Sequence, residues 1–274
     1  MHKVLVLAAA LGLTVVASAR QPEFDAVARI GDYVERYYAT ARSLVADETV
    51  TLVPLTSGAF SRKLVYELRF DWDPEAEEPA RVARHLVSIN GRAPRPNAKP
   101  ECLDPHDVAP EPMAFLLPDR RYKYTFRNAG LSRVDGRPAL VIEYRSRTPE
   151  PPKPTWRAKG NPDCMSVDVP GRARGKVWAD PVTFEILRLD EGLTGEVDIR
   201  VPVEEQRKGH WPAVLTLKRA DVSIRYKEVV FQDPEERVMV PSEITTNTEF
   251  GSRRMMTQQF TNYRRFTTAA RIVQ

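Results

Sequence analysis

Apolar positions along the chain change their period once. From Pro22 to Ala46, the residues Phe24, Val27, Ile30, Val34, Tyr37 or Tyr38, Ala41 and Leu44 recur every three or four places. That spacing predicts one amphipathic helix over 22–46, with Arg29, Asp32, Glu35, Arg36 and Arg42 on its far side. Pro22 suits the first turn, where a missing N–H costs nothing. A helix with such a stripe must lay it on something, and the pattern that follows supplies a sheet.

Further on the period becomes two. In KLVYELRFDW, Leu64, Tyr66, Leu68, Phe70 and Trp72 face one way and Lys63, Glu67, Arg69 and Asp71 the other. RYKYTF sets Tyr122, Tyr124 and Phe126 against Arg121, Lys123 and Arg127. ALVIEYR places Leu140, Ile142 and Tyr144 together, and DVSIRYKEVVF does the same for Val222, Ile224 and Tyr226. VPSEITTNTEF and MMTQQFTNYRRF follow, joined by GSRR. The pattern predicts about ten antiparallel strands, apolar on one side and wetted on the other. Turns are marked by Asn90-Gly91, Asp135-Gly136, Asp180-Pro181 and Asp233-Pro234.

One hairpin, GKVWADPVTFEILRLDEG, departs from this rule. Val177 and Ala179 point one way, Lys176 and Trp178 the other; on the return strand Leu187 and Leu189 oppose Phe184, Ile186 and Arg188. A strand that is apolar on both sides lies under cover on both, or faces a greasy cavity. Trp178 and Ile186 therefore either sit beneath the N-terminal helix or touch a ligand. Two proline-rich stretches, near 91–118 and 148–174, break the alternation and read as long ordered loops. With no repeat of fixed length and no linker, residues 20–274 read as one domain.

The first 19 residues belong to a different class. MHKVLVLAAALGLTVVASARQ carries Lys3, an uncharged run from Val4 to Ala17 and an Ala-Ser-Ala signal, which predicts export and cleavage between Ala19 and Arg20. The run is shorter than the roughly 20 residues a membrane span needs. No later segment is apolar enough to span, so no transmembrane anchor is expected after processing. Processing leaves 40 basic against 37 acidic side chains, a charge of about +3, too slight and interspersed to indicate nucleic acid.

Export also frames the two cysteines, Cys102 and Cys164, each in a proline-rich stretch (PECLDP and NPDCMS). In an oxidising compartment such a pair most often forms a disulfide, here closing a loop of about 62 residues, worth about 4 kcal/mol on the chain-entropy view. The rival reading takes Cys102, Asp104, His106 and Asp107 as metal ligands, but no second cluster stands at a suitable spacing. Neither a metal nor another cofactor is expected.

The hairpin GKVWADPVTFEILRLDEG, the strand VMVPSEITTNTEF, the closing QQFTNYRRF and the leading amphipathic helix together resemble the periplasmic lipoprotein-carrier superfamily (LolA/LolB/LppX-like). The resemblance spans the first helix and roughly the last hundred residues. It implies an α+β, mainly β fold: a strongly curved antiparallel sheet, an incomplete barrel, with the N-terminal helix packed on its concave side. It further implies an apolar cavity that holds acyl chains. The proline-rich loops have no counterpart there, and no residue guarding the cavity carries over by motif.

Catalysis finds no foothold. His85, His106 and His210, the histidines left after processing, never pair at helical spacing, and no nucleophile elbow or phosphate loop occurs. Asp71 with Asp73 and Glu204 with Glu205 read as solvated neighbours, and Arg120-Arg121, Arg253-Arg254 and Arg264-Arg265 as soluble strand ends. The expectation is a periplasmic, non-catalytic binding protein for a lipid or lipidated protein. Its candidate cavity residues are Trp178, Phe184, Ile186, Tyr226 and Tyr37. The alternative is an envelope scaffold that docks a protein partner over an ordinary filled core.

Overall fold

The structure is a computed structural model of the 274-residue chain, and it describes residues 22–41, 44–55, 60–72, 80–95, 113–156, 165–232 and 235–265. The export segment with Ala19 and Arg20, both cysteines, the ECLDPHD stretch and the Asp233-Pro234 turn lie outside the described residues.

Helix α1 (Pro22–Ala41) leads into β1 (Leu44–Pro54), β2 (Arg62–Trp72) and β3 (Ala80–Ile89). After short 3-10 turns at Met113–Leu116 and Arg121–Lys123 come β4 (Tyr124–Val134), β5 (Arg137–Ser146), β6 (Lys153–Thr155), β7 (Ser166–Asp168), β8 (Ala173–Ala179), β9 (Ile186–Leu193) and β10 (Val197–Arg200). A short helix, α2 (Val203–Gly209), precedes the long strands β11 (Val214–Gln232), β12 (Glu235–Phe250) and β13 (Ser252–Arg265). One 11-stranded sheet runs β3-β2-β1-β13-β12-β11-β9-β8-β5-β4, with β10 also pairing β11. All its pairings are antiparallel. Among the described residues no pairing joins its ends, β3 and β4, so the sheet is not closed into a barrel. The fold is α+β and mainly β, as the alternation predicts. The additional short strands β6 and β7 form a separate ribbon inside the second proline-rich stretch.

The turn chemistry works as the sequence demands. Asn90 and Gly91 have φ of 49° and 77°, and Asp135 and Gly136 have 49° and 84°, the positive pair that a tight hairpin of matching twist requires. At the β8–β9 turn the Asp180 carboxylate accepts from the backbone N–H of Val182 and Thr183, at 2.9 and 3.0 Å.

Two boundaries differ from expectation. Helix α1 is described to Ala41, and Leu44 to Ala46 belong to β1, where Leu44 pairs with Arg265 and Ala46 with Leu68. Leu44 continues the three-to-four spacing by coincidence, and strand pairing on both sides overrides it. Likewise Tyr122 lies exposed in a 3-10 turn instead of facing with Tyr124, because the strand begins one residue beyond Lys123.

Residues paired across an antiparallel ladder share a face, so the register identifies the side that meets α1. One row reads Ile142, Val177, Leu189, Ile224 and Ile244 across β5, β8, β9, β11 and β12. All five are buried with Val27, Ile30, Val34, Tyr37 and Tyr38 of the helix in one core. Towards β3 the row meets a buried polar group: Arg84 donates to both oxygens of Glu48 (2.7 and 3.3 Å), and Gln258 donates to Oε1 of Glu48 at 2.6 Å. Beyond it Val50, Leu52, Leu64 and Tyr66 form a smaller core.

The end of the first proline-rich stretch is more than a loop. Met113, Phe115, Leu116 and Leu117 are buried against α1. Gly31 makes that possible: a Cβ there would stand 2.6 Å from the Leu116 carbonyl oxygen. A glycine in mid-helix costs about 1 kcal/mol relative to alanine, and here it purchases close approach.

Candidate functional site: a cleft beside the helix

The five sequence-predicted cavity residues separate into two groups. Tyr37, Phe184, Ile186 and Tyr226 come together in the packed core between α1 and the sheet, none more than 8% exposed. Tyr226 donates its hydroxyl to Sδ of Met113 at 3.3 Å, and the Arg29 guanidinium lies 4.1 Å from the Phe184 ring centre. All four belong to the one cluster of buried side chains that also holds Val27, Ile30 and Val34 of the helix. Trp178 pairs with Val141 and Arg188 on the sheet's other face, with the Arg188 guanidinium 4.8 Å from its ring. Ile186 shares the face of Val177 rather than opposing Leu189, because a bulge after Trp178 inserts one residue, Leu187.

Open space lies beside the helix. A half-enclosed cleft of about 750 Å³ is bounded on one side by Ala114, Phe115, Asp119 and Arg120, and on the other by the turn from Asp168 to Gly171. Its floor is the α1-facing side of the sheet, with Ala173, Leu193, Ala220 and Val222. The wall continues into the core through aromatic contacts: the Phe115 ring stacks on Tyr144 at 4.0 Å and meets Tyr124 at 5.2 Å. Gly171 (φ +70°) lets the turn close down, since a Cβ there would stand 1.9 Å from the Thr148 carbonyl oxygen. Partly exposed Arg120 and exposed Lys123 stand among the lining residues.

One ionisable group stands in this apolar floor. Glu191 lies in the row Tyr144, Gly175, Glu191, Val222, and its Oε2 accepts the Tyr144 hydroxyl at 2.8 Å. Burial pushes its carboxyl up to about 6, although the donated hydrogen bond pulls the other way. Burial also raises the Tyr144 phenol above its ordinary range, reinforced by the Glu191 charge. Gly175 is required by this pair: a Cβ on it would be 2.7 Å from Tyr144 Oη and 2.1 Å from the Asp190 carbonyl oxygen. An isolated glycine inside a strand was the signal that could have pointed here.

Among the described residues no three His, Cys, Asp or Glu side chains gather to hold a metal, and no helix is long and apolar enough to cross a membrane. The volume of this cleft, about 750 Å³, lies in the range of small-molecule sites.

No family model and no curated protein matches the sequence. Among solved structures the chain is similar to a candidate outer-membrane lipoprotein-sorting protein domain from Vibrio parahaemolyticus (12% identity, 88% of this chain and 94% of that one, TM-score 0.41). It is also similar to a DUF1329 family protein from Desulfovibrio piger (9% identity, 90% and 95%, TM-score 0.42). A LolA superfamily protein from Nitrosomonas europaea gives 9% identity over 86% and 91%, with a TM-score of 0.36. At these scores the likenesses assign no activity to the chain.

Proposed function

We propose that this chain is an exported, periplasmic, non-catalytic binding protein that takes the acyl chain of a lipid or lipidated protein into the cleft beside α1. The observation that carries the reading is the cleft itself. Its volume of about 750 Å³ opens onto an apolar floor of Ala173, Leu193, Ala220 and Val222, adjoining the main core through Phe115 and Tyr124. Each methylene that leaves water for such a floor gains about 0.8 kcal/mol, so a chain of ordinary length is held without any strong polar contact. Arg120 and Lys123 supply cations at the same cleft for an anionic headgroup.

The reading is tested by titrating a fluorescent fatty acid into the wild type and into Ala220→Phe, which fills the floor. Binding to the wild type and its loss in the folded variant is the expected result. Equal binding by both would place the ligand elsewhere. The second reading, an envelope scaffold docking a protein, has the outer edge of β4 on its side, where Leu131 is 76% exposed. A cross-linked protein partner combined with no acyl binding would favour it.

A further inference from the structure

The sheet's other face carries a second concavity, of about 960 Å³, floored by β4, β5, β8, β9, β11 and β12. Register lays out its floor in rows. One row, Arg127, Glu143, Lys176, Asp190, Ser223 and Thr245, is internally matched. Glu143 pairs with both Arg127 and Lys176, and Asp190 pairs with Arg188 and accepts from Ser223 at 2.7 Å. Hydrogen bonds from Lys176 and Arg127 hold the Glu143 carboxyl below its ordinary range, so it is committed to those two cations.

The next row is unmatched. Arg145 and Arg174 stand directly opposite each other on neighbouring interior strands, both exposed, and neither pairs with an acidic side chain among the described residues. Like charges so placed repel and destabilise a sheet unless something neutralises them. Beside them stands Gly192, and the Asp221 carboxylate reaches over it: a Cβ on Gly192 would stand 2.7 Å from Asp221 Oδ1, and the carboxylate's other oxygen lies 3.6 Å from the Arg219 guanidinium. Asp221 and its partner Asn247 continue the same row, with Ser223 and Thr245 adjacent.

We propose that this groove binds a phosphate-bearing polyol, the phosphate between Arg145 and Arg174 and the hydroxyls against Asp221 and Asn247. Two guanidinium groups approaching from neighbouring strands suit a tetrahedral dianion, whereas a planar carboxylate is satisfied by one. Farther along the row a carboxylate accepts from hydroxyls and an amide both accepts and donates, and the carboxylate's charge disfavours a second anion there. The source is either a free sugar phosphate or the headgroup of a phospholipid. The site lies on the opposite face of the sheet from the acyl cleft, with which it shares the strand segment at Glu191 and Gly192, and does not rest on it.

Calorimetric titration of the full chain at constant ionic strength decides the matter, with glucose 6-phosphate, glucose, inorganic phosphate and phosphatidylglycerol vesicles as probes. Expected is binding of at least one phosphate probe, weakened about tenfold or more when Arg145→Gln and Arg174→Gln are combined. Glucose 6-phosphate bound more tightly than phosphate or glucose marks a free ligand; vesicles bound through the same arginines while the soluble sugar phosphate is not mark a headgroup. Asn247→Ala should weaken the polyol probe and leave inorganic phosphate unchanged. In the absence of anion, Arg174→Gln should raise Tm, because the facing charges are relieved. No binding by any phosphate probe, equal binding by the double variant, or a lower Tm for Arg174→Gln would overturn the proposal.

Discussion

At the scale of single residues, Glu191 is the informative one. Its carboxyl is held near 6 against an ordinary 4.5 because it is buried beneath the cleft, so the folded chain prefers it protonated. The stability this gives is complete below about pH 4.5 and fades as pH rises through about 6. At 1.36 kcal/mol per unit, a difference of about 1.5 units amounts to at most about 2 kcal/mol. Glu191→Gln keeps an acceptor for the Tyr144 hydroxyl and removes the titration. Urea unfolding should therefore find wild type and variant similar in acid, with the variant more stable above neutrality. A pH-independent difference between them would mean that the carboxyl titrates as it does in water.

Elements show how close contacts reverse ordinary propensities. Gly31→Ala would raise helix propensity by about 1 kcal/mol in isolation, yet the new Cβ would meet the Leu116 carbonyl oxygen at 2.6 Å. Thermal melting should show a lower Tm, and a higher one would mean that the Met113–Leu116 turn yields freely. Strands β1, β3 and β13 are joined by Glu48, Arg84 and Gln258, with Glu48 fully buried. Glu48→Ala leaves the Arg84 charge without this buried partner and should cost about 3–5 kcal/mol in chemical unfolding. A loss within about 0.5 kcal/mol, the range of an ordinary surface change, would contradict the burial of that group.

These elements also mark where sequence reasoning reached its limit. Alternation in Leu64, Tyr66 and Leu68 and spacing in Val27, Ile30 and Val34 report burial faithfully, because each is a local consequence of period. Leu44 misled because a helix stripe and a strand start share its phase. Phe115, Glu191 and Leu193 meet only after the chain has crossed β4, β5 and β8, and no local pattern records such a meeting. Trp178 and Ile186, close neighbours in one hairpin, face opposite sides of the sheet because a bulge at Leu187 lies between their pairings.

For the whole molecule, an unclosed antiparallel sheet with one helix on a face leaves its working space to the margins of that contact. The helix fills the middle, and the cleft opens where the Met113–Lys123 segment and the Asp168–Gly171 turn stand apart over β8, β9 and β11. An acyl-carrying role depends on that gap accepting a hydrocarbon chain in the native protein. Native mass spectrometry of the chain purified from its own compartment measures this most directly. The account predicts an added lipid mass on the wild type that disappears in folded Ala220→Phe; bare protein that also takes up no added fatty acid would contradict it.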